Sequence, residues 1–385
     1  MLTYVPRLNG LWIARLAILA LGLALGGCER RMAAPPAPPP PLDGSGMLTR
    51  AATQPAVAWP APTTTGTFLD RAPATDLRFV SYNVLWNTIF EDVSPVQAAK
   101  FIRLMRALNP DVLALQEIGL HPEDRGKKGA RARTASEVVE VMNAALPPPP
   151  GATWHAWQGG DNIIVSKYPL KMMLKDTTPA GDRKQAVALV DLPDDRFHAD
   201  LYVFNNHYKC CGGEANDPQR QKQSDAIAAW IRDARTLGGH VDLPPGTPII
   251  VAGDLNIVGG FGPVRTLLEG DIADEATYGP DAPPDWDNTS FTDLRPRHNA
   301  VGEDDYTWRD DNDRWPPGRL DFIIYSDSVL EPVHSFVLNT VSLSDLDLQA
   351  AGLQRFDVTA DDTGRTFDHL PLVADFRVSG TVQPE

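Results

Sequence analysis

The sequence predicts an α/β protein in which a pair of packed sheets is flanked by helices, and three observations support this fold class. Apolar, β-rich segments far outnumber helical ones. Many of these segments follow one another directly along the chain, as the strands of packed sheets do. The composition, 43% hydrophobic and 22% charged over 385 residues, supplies enough apolar material for a large core. We therefore expect a single folded domain of about 310 residues.

The first 28 residues have the pattern of an export signal. Arg7 and Arg15 precede the apolar run LAILALGLALGG, which ends at Cys28. This run is too short for a comfortable membrane span and has the positive flank and small residues of a signal peptide. It resembles the bacterial lipoprotein signal, in which the cysteine is lipidated and becomes the mature N-terminus. We expect residues 1–28 to be removed up to Cys28, and the exported protein to be anchored in a membrane, facing the periplasm or the cell exterior.

Residues 29–70 have a composition that cannot bury a core. The stretch AAPPAPPPPLDGSG, with further Pro, Thr and Ala to about residue 66, favours extended polyproline segments. We expect a disordered linker over residues 29–70 and a folded domain over residues 71–380, which the linker holds away from the membrane.

The domain opens with a strand, a helix and a second strand. LRFVSYNVLW alternates and is rich in β-formers. The helix that follows has Ser94 as its N-cap, Pro95 in its first turn and Asn109 before a proline as its stop. DVLALQEI then forms a buried strand. The apolar stripe expected on this first helix consists of Val96, Ala99, Ile102 and Met105.

Strands and further helices fill the rest of the domain. A second helix begins near Thr134 and ends before the Pro147–Pro150 run. A third helix has Asp217 as its expected cap and Pro218 in its first turn, and GPVRTLLEG forms a short fourth. The remaining strands are expected in DNIIVSKYPL, QAVALVDL, ADLYVFNNHY, TPIIVAGDLN, RLDFIIYS and HLPLVADFRV.

Polar side chains recur at the ends of these apolar strands. A single Asn or Asp at such a position is usually a cap or a turn former. Seven strand ends that carry such residues are harder to explain in this way, because buried carboxylates, amides and imidazoles are costly unless they satisfy one another or a ligand. Convergence at one mouth of the sheet pair would satisfy them together. The residues are Asn83, Glu117, Asp161, Asn162, Asn205, His207, Asp254, Asn256, Arg319, Asp321, Asp368 and His369.

The order of these motifs resembles the endonuclease/exonuclease/phosphatase superfamily, which includes DNase I, apurinic endonucleases, inositol polyphosphate 5-phosphatases and bacterial sphingomyelinases. The motifs are Asn in the first strand, Q-E in the second, and then N-x-H, G-D-x-N, R-x-D-F and D-H-x-P. Together they extend the resemblance over nearly the whole domain. The resemblance implies a four-layer α/β sandwich, in which two mixed, mainly antiparallel β-sheets pack face to face with helices outside.

The resemblance also implies a site for Mg²⁺ or Mn²⁺. Glu117 corresponds to the principal metal ligand, with Asn83 and Asp368 beside it. Carboxylate and amide oxygens suit these hard cations, which keep waters and reach for substrate phosphate. In such a site the cation polarises the phosphoryl oxygen and stabilises charge on the leaving oxygen.

The other motif residues correspond to catalytic positions of the superfamily. Asp254 and Asn256, which strand alternation would place on one face, correspond to the pair that orients and deprotonates the attacking water. His369 corresponds to a catalytic histidine whose tautomer is held, and whose pKa is raised, by Asp321. His207 corresponds to a second histidine that contacts phosphate or assists the leaving group.

Three more residues are expected to contact the substrate. Asn162 corresponds to a position that often contacts phosphate. Lys209 follows His207 by two residues and can neutralise phosphate charge locally. Arg319 lies in the R-x-D-F motif, where bracing of the site is the alternative role.

Charge limits the substrates that the sequence supports. A net charge of −15 argues against broad, non-specific binding of nucleic acid over the whole surface. The basic segment HPEDRGKKGARART, shortly after Glu117, is either a solvated loop or a clamp for an anionic substrate. We expect a monomer that acts on a phosphate ester, with nucleic acid among the candidates.

Three functions are compatible with the sequence. The favoured one is a nuclease-like, Mg²⁺- or Mn²⁺-dependent phosphodiesterase in which an activated water attacks phosphorus. The second is a phosphatase or phospholipase C-type activity on inositol phosphates or phospholipids. The third is a non-catalytic surface lipoprotein that keeps the fold for binding, and the complete motif set argues against it.

Overall fold

The computed structural model describes residues 57, 59–62, 64–121, 124, 126–127, 130–174, 184–213, 215–310, 314–359 and 367–379. The expected signal peptide, Cys28 and residues 29–56 of the expected linker lie outside these ranges. Within the described part of the chain, no helix combines the length and the apolar character needed to cross a membrane.

The first of two six-stranded sheets has the strand order β11-β12-β1-β2-β4-β3. Strands β1 and β2 are parallel, and the other neighbours in this sheet are antiparallel. The strands are β1 (Leu77–Asn83), β2 (Val112–Gln116), β3 (His155–Gly159), β4 (Asn162–Ser166), β11 (Leu330–Val337) and β12 (Leu372–Val378).

The second sheet has the order β5-β6-β7-β8-β10-β9. Here β7 and β8 are parallel and the other neighbours antiparallel, so both sheets are mixed and mainly antiparallel. The strands are β5 (Leu170–Leu174), β6 (Ala186–Val190), β7 (Leu201–His207), β8 (Ile249–Asp254), β9 (Thr292–Leu294) and β10 (Asp321–Tyr325).

Helices complete the four layers. Helix α1 packs its buried face into the core that the first sheet lines, and α3 and α4 pack on the outer face of the second sheet. The predicted sandwich of two sheets with helices outside is confirmed. The helices are α1 (Pro95–Leu108), α2 (Ala135–Ala145), α3 (Asp217–Ala234), α4 (Gly262–Glu269), α5 (Glu275–Tyr278) and α6 (Asp345–Ala351).

Strand alternation divides the second sheet into two buried faces. In β7, Leu201 and Val203 belong to the core between the sheets, whereas Tyr202 and Phe204 belong to the core under α3. The same two-residue period continues to the end of the strand. His207 is in phase with Leu201 and Val203, so its side chain faces the first sheet.

The helix ends follow the expected capping rules better than the helix faces do. Ser94 accepts a bond from a backbone N–H of α1, and Thr134 forms a complete capping box at α2. The expected cap of α3 was wrong by one residue, because Asp217 is the first helical residue and Asn216 precedes it. The expected α1 stripe was only partly confirmed, since Met105 is buried and Ile102 packs against the core, whereas Val96 is 52% exposed. The buried face of α1 is formed by Gln97, Ala98, Lys100, Phe101, Leu104, Met105 and Leu108.

The described residues before position 71 pack on the domain. The ring of Trp59 lies 4.8 Å from that of Trp154, centroid to centroid. Leu69 is 3% exposed within the main core, and its carbonyl accepts a hydrogen bond from Arg78. The folded region therefore begins before residue 71, because these apolar side chains bury surface that a free linker would leave in water.

Candidate active site

The polar strand ends lie at one mouth of the sandwich. β7 and β8 are parallel and end at His207 and Asp254, which are direct neighbours in the ladder. β10 runs in the opposite direction and begins at Asp321, which is the partner of Asp254 on its other side. Because all three side chains share the inward phase of their strands, they line the edge of the second sheet that faces the first.

The first sheet supplies the opposite side of this mouth. Asn83 ends β1, and Glu117 follows the last residue of the parallel strand β2. Asp368 and His369 lie shortly before β12, which is antiparallel to β1. The structure therefore brings together the three expected metal ligands and the expected catalytic residues of both sheets.

The carboxylate of Asp254 lies at the centre of the cluster. Its Oδ2 atom is 3.7 Å from the Nε2 atoms of both His207 and His369. The side-chain amide of Asn83 donates to the same oxygen at 3.2 Å. Asp254 is only 2% exposed, and this burial raises the pKa of its carboxyl group.

Two histidine–carboxylate pairs flank Asp254. The Nδ1 atom of His369 lies 2.7 Å from Oδ2 of Asp321, and Nδ1 of His207 lies 2.7 Å from Oδ2 of Asp161. A carboxylate on Nδ1 leaves Nε2 directed at the centre of the site. Burial lowers the pKa of His369, but the carboxylates of Asp321 and Asp254 outweigh it and raise that pKa well above its ordinary value.

Asp161 was missing from the expected catalytic set. It lies just before β4 in the first sheet, yet it binds His207 of the second. The signal was present in GDNIIVS, where Asp161 and Asn162 stand side by side at a strand start. Sequence alone did not show which of the two would face the histidine.

Gly253 allows β8 to approach β7 beside Asp254. Its φ of +123° lies in a region that side chains rarely adopt. A Cβ atom at this position would lie 2.0 Å from the carbonyl oxygen of Asn206, which is far inside contact distance. The glycine of G-D-x-N therefore has a packing role next to the reactive carboxylate.

Glu117 and Asp368 have the surroundings of cation ligands. Burial raises the pKa of Glu117 to about 7, and the nearby charge of Asp368 adds to the shift. Burial also raises the pKa of Asp368, whose Oδ1 atom has no hydrogen-bond partner among the described residues. Glu117, whose side chain is 13% exposed, and Asp368 are largely withdrawn from water and lie near each other, and such a pair of carboxylates favours a bound cation.

The other groups around these carboxylates also fit a role of Glu117 and Asp368 as cation ligands. Glu117 has a left-handed backbone, with φ of +65°, and its Oε2 atom accepts a bond from the backbone N–H of Trp86 at 2.9 Å. Asn83 donates to Oε1 at 3.2 Å, and its own oxygen accepts from Leu85, so in this structure Asn83 orients Glu117. The indole of Trp308 donates to Asp368 at 3.2 Å.

The donor set fits a hard cation that keeps much of its water. Within the described ranges no group of three or more His, Cys, Asp or Glu side chains has the arrangement of a metal site. Mg²⁺ is typically held by one or two carboxylates, waters and substrate phosphate rather than by a full protein cage. Glu117 and Asp368 with the amide of Asn83 match that description.

Glu117→Gln is expected to weaken Mg²⁺ binding by at least about tenfold, since it removes the charge of the principal ligand. Isothermal titration of the purified protein measures this directly. Because the pKa of Glu117 is about 7 without a cation, Mg²⁺ must displace a proton at lower pH, so the wild type should bind more weakly at pH 6 than at pH 8. Equal affinities for wild type and variant would exclude Glu117 as a ligand.

Asn256 contacts Asp254, but not by strand alternation. β8 ends at Asp254, and Asn256 has a left-handed backbone with φ of +50°. Its backbone N–H donates to Oδ1 of Asp254 at 2.8 Å and its side-chain amide to Oδ2 at 2.9 Å. The expected pairing is present, and the turn after the strand produces it.

The expected substrate-binding residues have different surroundings. Arg319 pairs with both carboxylate oxygens of Asp293, donates to the carbonyl of Leu294 and stacks on Phe322. These contacts support bracing of the site, the alternative role of Arg319, and its contact with substrate stays a prediction.

Asn162 and Lys209 differ in their accessibility. Asn162 is fully buried and donates to the carbonyl of Lys184 at 2.7 Å, so its amide nitrogen is engaged inside the protein. The ammonium of Lys209 lies 3.8 Å from Sγ of Cys210 on the loop that leaves His207. Lys209 stays a predicted phosphate contact at the rim, and Asn162 supports the strand that follows Asp161.

The described cations of the basic segment are held in ion pairs. Arg131 and Arg133 both bind Glu137 in the first turn of α2, and Arg133 also binds Asp92. Lys127 lies 2.9 Å from a carboxylate oxygen of Asp124, and the residues at positions 125 and 128 lie outside the described ranges. These ion pairs favour a loop that is held on α2 over a clamp for an anionic substrate.

One comparison with known proteins identifies a family whose members are hydrolases of phosphate esters. The model of the endonuclease/exonuclease/phosphatase family matches residues 80–345, and the chain belongs to this family. No curated protein matches the chain.

Solved structures with a similar fold come from several organisms. The catalytic domain of human Nocturnin with bound sulfate is 13% identical, with 79% of this chain and 94% of that chain covered and a TM-score of 0.47. D. rerio TDP2 with a single-stranded DNA product is 17% identical, with 78% of this chain and 98% of that chain covered and a TM-score of 0.45. An endonuclease/exonuclease/phosphatase family protein from Leptotrichia buccalis is 14% identical, with 78% of this chain and 99% of that chain covered and a TM-score of 0.46. At these values the likenesses carry no argument about activity.

Proposed function

We propose that the protein is a metal-dependent phosphodiesterase with nuclease-like chemistry, in which an activated water attacks phosphorus. The observation that carries the proposal is the position of Asp254, whose Oδ2 lies 3.7 Å from the Nε2 atoms of two carboxylate-held histidines. A water in this space can give its proton to Asp254 while the imidazoles contact the phosphate oxygens.

Each group then has a defined task. Asn256 and Asn83 hold the carboxylate of Asp254 in place through their amides. Charged His369, whose proton Asp321 stabilises, is suited to bind a phosphate oxygen as negative charge develops. Glu117, Asp368 and Asn83 would hold Mg²⁺ or Mn²⁺, which when bound supplies positive charge at the phosphoryl oxygen.

An activity panel tests this proposal. Purified protein is assayed with plasmid DNA, RNA, bis-p-nitrophenyl phosphate, inositol phosphates and sphingomyelin, with Mg²⁺ or Mn²⁺ and with EDTA. We expect cleavage of diesters, and EDTA should lower it by at least about a hundredfold. Turnover restricted to monoesters or to sphingomyelin would favour the phosphatase or phospholipase C-type alternative. No turnover of any substrate would leave the non-catalytic lipoprotein as the better explanation.

We also propose that the mature protein begins at lipidated Cys28 and is anchored in a membrane, facing the periplasm or the cell exterior. Support comes from the apolar run that ends at this cysteine. Cys28→Ser should abolish incorporation of labelled fatty acid and move the protein out of the membrane fraction. Unchanged membrane association of the variant would show that another segment holds it there.

A further inference from the structure

Two adjacent buried asparagines in β7 face opposite directions. Asn205 is in phase with Leu201 and Val203, which face the first sheet, and Asn206 is in phase with Tyr202 and Phe204, which face α3. Both asparagines are fully buried. A buried amide is costly unless its hydrogen bonds are made, so the partners of each amide show what it does.

Among the described residues, the side chain of Asn205 bonds to the opposite sheet alone. Its amide nitrogen donates to the carbonyl oxygens of Leu115 in β2 at 2.8 Å and of Ile163 in β4 at 2.9 Å. Its oxygen accepts a bond from the side-chain amide of Gln116 at 2.7 Å. Asn206, by contrast, donates to Ala252 and Phe204, both in its own sheet.

These bonds lie directly behind the candidate active site. Gln116 is the residue before Glu117, and Asn205 is two residues before His207. The contacts that cross between the sheets in the site include those of His207, whose Nδ1 is 2.7 Å from Asp161 and whose Nε2 is 3.7 Å from Glu117. The Gln116–Asn205 contact therefore joins the two strands that present these groups.

We propose that Gln116 and Asn205 are a positioning pair that sets the distance of His207 from Glu117 and Asp161. The proposal rests on the proposed phosphodiesterase function. Below the mouth of the sandwich the sheets meet around this pair mainly through apolar side chains such as Leu115, Val203 and Ala252, whose attraction has no preferred direction. The three short hydrogen bonds of Asn205, by contrast, fix both the separation and the register of the strands. A displacement of about 1 Å at reacting groups is enough to lower turnover about a hundredfold.

The matched substitutions Asn205→Leu and Asn206→Leu test the proposal. Both replace a fully buried amide of β7 by an apolar side chain of similar size, so both should lower the melting temperature. Only Asn205→Leu should lower kcat strongly, by at least about thirtyfold, while Asn206→Leu stays within about threefold of the wild type. KM should change less than about threefold in both, because neither side chain is placed at the substrate.

Gln116→Met is the second variant, and it keeps the test decisive if Asn205→Leu does not fold. It should also lower kcat. The double variant of Gln116→Met and Asn205→Leu should lose kcat by no more than about twice the factor that Asn205→Leu alone loses, because the two residues act as one unit. Equal kcat losses in the two asparagine variants, a kcat within threefold in Gln116→Met, or additive losses would overturn the proposal.

A measurement independent of turnover separates this proposal from the proposed function. Hydrogen exchange of the backbone at the end of β7, residues 205–208, should be at least about tenfold faster in Gln116→Met than in Asn206→Leu when both are compared with the wild type. Unchanged exchange there would overturn the positioning role even in an active enzyme. Faster exchange in a protein without phosphodiesterase activity would support the contact between Gln116 and Asn205 as the link between the strands and would reject the proposed function.

Discussion

Asp254→Asn should lower kcat for diester hydrolysis by about 10³ to 10⁴-fold, the range expected when a positioned general base is lost. The amide has nearly the shape of the carboxylate but cannot take a proton from water. It also cannot offer negative charge to the two imidazoles that lie 3.7 Å from Oδ2. Steady-state kinetics with saturating Mg²⁺ measures the effect.

The fold should tolerate this change. Asp254 is 2% exposed and burial raises its pKa, so loss of the charge removes a desolvation cost, while the new amide nitrogen must face one of the N–H donors of Asn83 or Asn256. Because these effects oppose each other, the variant should stay folded, with a melting temperature close to that of the wild type. Mg²⁺ affinity serves as the control, because the expected ligands Glu117 and Asp368 are retained. A variant that kept more than a tenth of wild-type kcat would rule out Asp254 as the base.

Asp111→Asn should destabilise the protein by about 3–5 kcal/mol, the cost of leaving buried cations without their anion. Asp111 lies before β2, at the end of the sandwich opposite the candidate site. Its carboxylate binds Arg71 at 2.5 Å, Lys167 at 3.1 Å and the backbone N–H of Arg78 at 2.8 Å. Urea denaturation of wild type and variant at pH 7 gives the difference.

Acid should remove the same stabilisation. Burial raises the pKa of Asp111, but Lys167, Arg71 and their hydrogen bonds outweigh it and hold this pKa well below its ordinary value of 3.8. A carboxyl group whose pKa is lowered by folding stabilises the fold when the pH is above the pKa of the unfolded state. This stabilisation is lost as the pH falls toward the pKa of the folded state. The difference in the free energy of unfolding between wild type and Asp111→Asn should therefore be constant from pH 6 to 8 and become smaller only below about pH 4.

Glu269→Gln is the matched control for this prediction. Glu269 also pairs with an arginine, at 2.9 Å, but the side chains of Arg265 and Glu269 are 61% and 48% exposed. Solvent screens such a pair, so its loss should not change the urea midpoint measurably. Equal effects of the two substitutions would show that burial does not set the strength of the Asp111 cluster.

The sequence was sufficient for strands β1, β2, β4, β6, β7, β8, β10 and β12, for helices α1 to α4 and for the grouping of the candidate site residues, because these depend on local patterns. It did not predict the strands β3, β5, β9 and β11 or the short helices α5 and α6 of the described chain. Ser94 and Thr134 marked helix starts through capping chemistry that involves only neighbouring residues. The phase of β7, β8 and β10 follows from two-residue alternation, which places His207, Asp254 and Asp321 on the inner face.

The errors concern features that depend on tertiary structure. The face that α1 buries is set by the sheet beneath it, where Phe101 and Leu104 bury more apolar area than Val96 and Ala99 would. Asn256 reaches Asp254 through a left-handed turn that strand periodicity does not describe. The choice of Asp161 over Asn162 as the partner of His207 depends on a contact between sheets. Arg319 could not be assigned before Asp293 was placed beside it.

The most direct test of the proposed chemistry is hydrolysis of bis-p-nitrophenyl phosphate by the purified protein with Mg²⁺ in ¹⁸O-labelled water. Attack of an activated water on phosphorus predicts one ¹⁸O atom in the p-nitrophenyl phosphate product and none in p-nitrophenol. The signal should disappear with EDTA and with Asp254→Asn. Label in p-nitrophenol, or metal-dependent turnover that Asp254→Asn leaves intact, would contradict the assigned mechanism.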